Sequence, residues 1–477
     1  MDRGRSPSPV GASARLIPEI LTRRVAALSA TEHRFVADAA RALPGPAWLS
    51  ERRVAAYERF AGADLPTDAE EVWRYSRIGE LDLGRYEPPD GRDRPAEEDA
   101  LPDVARALLA SVGERSGLVV TTAGRVTRVE GSAELDAAGA RIGGFGHLEG
   151  LVPVEEMLGS VASPTDALAD LATAFLVDAA VVSVPGGAQV TAPVVVLHVV
   201  PEGGQPSAVF PRTIVSVGRG GSAAVVELLV SGSGDTYVGP VAELDVGEGA
   251  ALAFHSMQWL GRRGFGVAHQ ASRIGRDARF VSFTASLGGH YARCRTDSRL
   301  TGQGGSSKLM AAFFGDGDQM HDFRTLQEHA APRTSSDLLF KGAVADTAQS
   351  VYSGLIRIRH GARGSDAFQT NRNLVLSEGA HADSVPNLDI EENDVKCSHA
   401  STVGPIDADQ RYYLESRGVP RAIAERLIIV GFFDDLFERV RVTGLRPLLR
   451  NEIATRLAAA GIAGDTVPVG AGRGGAP

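Results

Sequence analysis

The sequence predicts a mainly β chain, with a stacked β-solenoid at its centre and helical segments at both ends. Three observations carry this. From about 176 to 400, short Val/Ile/Leu/Phe runs are separated by glycine. Within them a unit recurs, as expected of a repeat architecture. On either side the texture turns to Ala/Arg/Glu-rich or apolar stretches with helical spacing.

The repeat is clearest in segments 215–228, 244–257, 272–285 and 299–312. Each is an alternating run, then a glycine and a short polar stretch, then alternation again. The marker glycines Gly218, Gly247, Gly275 and Gly302 are 29, 28 and 27 residues apart. Later members mark Gly342, Gly361 and Gly379, with spacings of 19 and 18. A strand, a glycine turn and a second strand cannot bury their own apolar face, whereas stacked copies share a continuous core. Glycine is expected to supply positive φ at each corner. The competing reading is an antiparallel sandwich, whose hairpins also recur at short intervals.

Upstream, Ile20, Val25, Leu28, Phe35, Ala39 and Leu43 predict a helix over 20–43, broken by Pro44 and Pro46. A second helix is expected near 51–61, with a turn at Leu65-Pro66-Thr67 ahead of Glu71-Val72-Trp73-Arg74-Tyr75. The stretch 87–99 reads as a linker. Downstream, helices are expected at 407–415 (ended by Gly418), 420–440 (opened by Pro420) and 445–460. The middle one is apolar over much of its circumference, which suits either burial or partner docking. The predicted division is a disordered tail over 1–15, a mostly helical domain over 16–150, a solenoid core over 151–405, a helical domain over 406–463 and a second disordered tail over 464–477.

Composition bounds the function. The 477 residues are 43% hydrophobic and 23% charged, enough for a sizeable core. A formal charge of −10 argues against a nucleic-acid groove, which needs a basic face. Met1 to Arg15 carries no apolar core of signal-peptide length and no apolar run reaches the length of a membrane span, so a cytoplasmic protein without a membrane span is expected. Two cysteines, Cys294 and Cys397, fit a reducing compartment.

Several catalytic signatures fail on inspection. Gly302 to Leu309 approaches a phosphate-binding loop, but Ser307 replaces the required glycine and Leu309 the Mg²⁺-binding hydroxyl, so it reads as a solenoid corner. Arg357, Arg359, His360 and Arg363 form a basic cluster at another corner. His321, Glu328 and His329 fall in a polar, loop-like stretch. The pair that remains is Cys397 and His399, two apart and so on one face of a strand. Thiolate and imidazole are suitable ligands for iron or zinc, although this spacing is also common in structural pairs.

Ordered segments then resemble the SufB/SufD family of iron–sulfur cluster assembly scaffolds. They are Ser336 to Gly342, Tyr352-Ser353-Gly354, Gln369 to Leu374, Pro386 to Ile390, Lys396-Cys397-Ser398-His399 and Tyr412 to Gly418. The resemblance implies a right-handed parallel β-helix between helical domains and a non-catalytic scaffold subunit. It implies pairing with a SufB-like paralogue, and a SufC-like ATPase docked on the C-terminal helices. It also implies a transient iron–sulfur cluster at the SufB–SufD interface, with His399, and Cys397 beside it, as the residues matching the family's ligand positions. Ser398 after the cysteine, and Arg421, Ala422 and Ile423 early in the following helix, favour the SufD branch over the SufB branch. Cys294 matches no family role and reads as a small core residue. A reduced flavin, carried by some complexes of the family, has no fingerprint in the sequence. Two other readings are a carbohydrate-active β-helix enzyme, such as a polysaccharide lyase, and a purely structural partner without ligands.

Overall fold

Strand outweighs helix, 39% against 24%, and the centre is a β-solenoid of about eight turns with helices at both ends. The computed structural model describes residues 34–92 and 101–462. Both expected tails lie outside these residues, as do most of the helix expected over 20–43 and the end of the linker over 87–99. What is described of that first helix is Ala37–Ala42.

Each turn of the solenoid is two strands of about ten residues joined by two tight corners. Ser306–Gly315 and Met320–His329 form one such turn, and Ser335–Val344 and Gln349–Ile358 form the next. Along one side Ser306 pairs with Ser335, Ser335 with Asp366 and Asp366 with Lys396, so the true period stays near 30. Among the described strands only two pairings are antiparallel, Gly117–Thr122 with Arg125–Gly131 and Arg141–Gly143 with Ala180–Val184. The long run of parallel ladders excludes the antiparallel sandwich. The sheets also begin earlier than the change in texture near 176, because Gly117–Thr122 pairs in parallel with Val194–Val200.

The marker glycines do form a column, but for a different reason than the one expected. A Cβ on Gly247 would lie 2.9 Å from the Val217 carbonyl oxygen, and one on Gly302 would lie 1.9 Å from the Arg276 nitrogen. Their role is close approach between successive turns. Positive φ falls two residues later, at Gly220, Gly249, Asp277 and Gly304. The spacings of 19 and 18 came from glycines in three different places. Gly342 lies inside Ser335–Val344, where the Phe313 ring fills the space a Cβ would need. Gly361 and Gly379 lie at opposite corners, between Gln349–Ile358 and Asp366–Val375 and between Asp366–Val375 and His381–Ile390.

Both faces of these strands are buried over much of the solenoid, which is why they read as near-continuous apolar runs. In Ser306–Gly315, Leu309, Ala311 and Phe313 join the interior cluster. Met310, Ala312 and Phe314 face outward, beneath Ile429, Phe433, Leu436 and Phe437 of the helix Arg421–Phe437. That helix therefore packs on the solenoid wall. Lys341 ties the two together, pairing with Asp435 and donating to the Phe432 carbonyl at 2.7 Å. The N-terminal segment covers the other wall, with Phe35, Trp73 and Phe175 against Phe210, Tyr237, Phe265 and Tyr291. Arg293 reaches across to it, its guanidinium 3.7 Å above the Trp73 ring.

The C-terminal helices are punctuated as the sequence suggests. Asp407 caps Ala408–Ser416 by accepting from the Asp409 and Gln410 amides. Gly418 has φ +81°, and Pro420 precedes Arg421–Phe437. Leu445–Ala459 completes the region. No helix among the described residues is long and apolar enough to cross a membrane.

Candidate functional site

The last turn of the solenoid consists of His381–Ile390 and Lys396–Gly404, the edge strands of the two sheets. Each pairs on one side only, with Gln349–Ile358 and Asp366–Val375 respectively. The inward alternation of the turn beneath continues into this one. Cys397 stands over Ala367, His399 over Gln369, Ser401 over Asn371 and Val403 over Asn373. On the facing strand Leu388 stands over Ile356 and Ile390 over Ile358. Ile356 and Ile358 are fully buried, whereas Leu388 is 38% and Ile390 44% exposed. The pattern is that of a solenoid interior, open to solvent at this end.

Cys397 and His399 thus occupy neighbouring inward positions of one strand, as the sequence predicts. His399 is exposed. Cys397 is partly sheltered, packing with Val395 against Ile356, Ile358, Ala362 and Ala367. That shelter raises the thiol pKa above its ordinary value, so metal binding has to displace a proton. Ser401 donates to Ser384 at 2.7 Å, linking the two edge strands across the mouth.

Among the described residues no group of three or more His, Cys, Asp or Glu is placed to hold a metal ion. Thiolate and imidazole are nevertheless suitable ligands for iron, and the pair is accessible. An iron–sulfur cluster needs about four ligands, so this donor set fits an iron–sulfur cargo only as part of a site completed from outside the chain.

The other candidates sort differently. Cys294 lies inside the solenoid wall, 3.7 Å from the Thr296 hydroxyl, and burial pushes its thiol pKa up to about 11. Gly302 to Leu309 is a corner running into a strand. Two arginines of the basic cluster are matched by acids, with Arg357 2.8 Å from Asp389 and Arg359 2.8 Å from Glu328. The loop-like stretch holding His321, Glu328 and His329 is in fact the strand Met320–His329. Its polar residues mislead because the interior accepts imidazoles that find hydroxyl partners. His321 bonds Ser286 at 3.0 Å, and His329 bonds Thr334 and Ser336 at 2.7 and 2.8 Å.

Gln369 to Leu374 carries the family resemblance, but nothing in the sequence assigns its amides a role. The structure puts Gln369, Asn371 and Asn373, all buried, on the inward face directly beneath the open turn. The available signal was the amide recurring at every second position.

Residues 199–432 match the family described as SUF system FeS cluster assembly, SufBD core domain. An iron–sulfur cluster assembly SufBD family protein of Mycobacterium tuberculosis is 37% identical over 309 residues, covering 63% of this chain and 76% of that protein. The iron–sulfur cluster assembly protein SufD of Bacillus subtilis is 27% identical over 425 residues, covering 86% of this chain and 94% of the relative. SufD of Escherichia coli is 29% identical over 279 residues, covering 58% and 66%. With the solenoid and the match over its core in agreement, the chain belongs to the SufBD family of the SUF iron–sulfur cluster assembly system.

Proposed function

We propose that this chain is a SufD-type, non-catalytic scaffold subunit of the cytosol that offers its open solenoid end to a SufB-like paralogue. The observation that carries this is the bare last turn, which leaves interior residues and two long edge strands uncovered beside Cys397 and His399. Exposed edges of this length invite pairing with another chain. In this reading His399, with Cys397 beside it, ligates a transient iron–sulfur cargo whose remaining ligands come from the partner. Ser398 and the residues Arg421, Ala422 and Ile423 support the SufD branch, as do relatives that bear that name.

A SufC-like ATPase docks on the C-terminal helices in the same reading. Tyr412 and Tyr413 on Ala408–Ser416 and Leu427 on Arg421–Phe437 are exposed there. ATP hydrolysis belongs to that partner. Its closure would act on the solenoid wall through Arg421–Phe437 and the Lys341–Asp435 pair.

The test is cluster reconstitution with the SufB-like chain and the ATPase, comparing wild type with His399→Ala. The expected result is an intact complex with much reduced cluster formation. Undiminished assembly in His399→Ala and in the Cys397→Ala/His399→Ala double variant would leave a purely structural partner.

A further inference from the structure

In one of the two sheets the strand beneath the open end, Asp366–Val375, differs from the strand below it, Ser335–Val344. Reading upward through three stacked positions, Leu338 is followed by Gln369 and His399, Phe340 by Asn371 and Ser401, and Gly342 by Asn373 and Val403. Along these three columns the residues change from Leu, Phe and Gly to amides one rung before the exposed ones. All three amide residues are at least 97% buried.

Two hydrogen bonds within the layer engage two of their carbonyl oxygens. Tyr352 Oη donates to Gln369 Oε1 at 3.0 Å. Gly354 makes room for that bond, since a Cβ there would lie 2.2 Å from Tyr352 Oη and 2.5 Å from Gln369 Oε1. Asn373 Nδ2 donates to Asn371 Oδ1 at 2.8 Å. With the carbonyl oxygens of Gln369 and Asn371 engaged, Gln369 Nε2 and Asn371 Nδ2 are left as buried donors without an acceptor, and Asn373 Oδ1 beside them as an acceptor without a donor. A buried donor left this way is costly and calls for an explanation. Leu338 and Phe340, directly below, offer no acceptor. Directly above, His399 and Ser401 face the open mouth.

We infer that the amide groups of Gln369 and Asn371 form a donor floor for the terminal site, where their N–H groups take the anionic sulfur of the iron–sulfur cargo. The inference rests on the proposed role of His399 and deepens it. Sulfide and thiolate sulfurs carry the negative charge of a cluster, and hydrogen bonds to them raise its reduction potential and slow its loss. Gln369 and Asn371 are therefore positioning residues. They accept no iron and need no deprotonation.

The test uses the reconstituted complex with the SufB-like chain, loaded with ferrous iron and sulfide. Gln369→Met and Asn371→Leu remove the donors at similar volume, and Asn371→Ala serves where Leu at that position prevents folding. Thermal melting and gel filtration establish that each variant folds and assembles. The readouts are the midpoint potential of the cluster and its rate of loss to a chelator. The expected result is a more negative potential and a loss about tenfold faster. Signals moved by His399→Ala but by neither amide change would overturn this inference alone. Signals unmoved by His399→Ala would overturn the functional reading and this inference with it.

Discussion

The two ends of the solenoid are built differently. At the first end the outermost strands turn back antiparallel, Arg125–Gly131 on Gly117–Thr122 and Arg141–Gly143 on Ala180–Val184. Between them the short helix Ala133–Ala137, capped by Ser132, places Leu135 in the interior cluster beside Val126 and Ile142. Leu135 is 2% exposed. The last end has no such plug among the described residues, and its strands keep their full length and parallel direction up to the edge. A stacked fold needs its terminal units covered. One end is therefore finished by its own chain, while the other is suited to completion by another.

The comparison predicts that interior residues of the covered turns contribute more to the stability of the isolated chain than those of the last turn. Phe340 packs edge-on against Phe323 and Tyr352 deep in the stack. Phe340→Ala should cost about 3–5 kcal/mol, read as a lower urea midpoint. Ile390→Ala, one rung above fully buried Ile358, should cost less than ~1 kcal/mol. Similar losses at the two positions would mean that the last turn is as well packed as the middle.

Acid should act on the buried stack first. Burial lowers the pKa of His255 and His329 from 6.5 to about 4 and that of His321 to about 3. Arg441 near His255 and Arg456 near His321 push the same way. These imidazoles stay neutral in the folded protein, while the unfolded chain takes up protons below about pH 6.5. Their contribution to stability is complete above that pH, is lost as pH falls from 6.5 towards 4 to 3, and levels off below. Between pH 7.5 and pH 5 the loss is roughly 2 kcal/mol per imidazole, measurable as a falling urea midpoint. A midpoint unchanged over that range would show that the three are not buried neutral.

At the open end the effect should fall on association. Ile390→Asp should leave the melting temperature of the isolated chain nearly unchanged and weaken binding to the SufB-like partner at least about tenfold, since it puts a charge into an apolar contact. The smallest effect is expected for Cys397→Ser, within about 0.5 kcal/mol of wild-type stability at this partly exposed edge position.

The solenoid was legible because Gly218, Gly247, Gly275 and Gly302 each meet the backbone of the turn beneath, a constraint repeated in the sequence once per turn. Its later half was misread because Gly342 makes room for a ring while Gly361 and Gly379 turn opposite corners, so similar letters answer to different geometry. Cys397 and His399 could be placed on one face because a strand alternates with period two. His321 and His329 could not be placed in the interior, because a polar run does not show that its alternate side chains face inward, and the Ser286 partner of His321 is 35 residues away, although Thr334 and Ser336 follow His329 closely. The openness of the last turn was equally invisible, since Ile358 and Ile390 are the same residue in similar local sequence. What separates them is whether another turn follows.

The most direct test of the open end is hydrogen exchange of the chain alone and with a SufB-like partner. The account predicts that amides of His381–Ile390 and Lys396–Gly404 exchange quickly in the free chain and slow markedly in the complex. Arg125–Gly131 at the finished end should not change. A complex that forms while the two terminal strands keep their free exchange rates would contradict it.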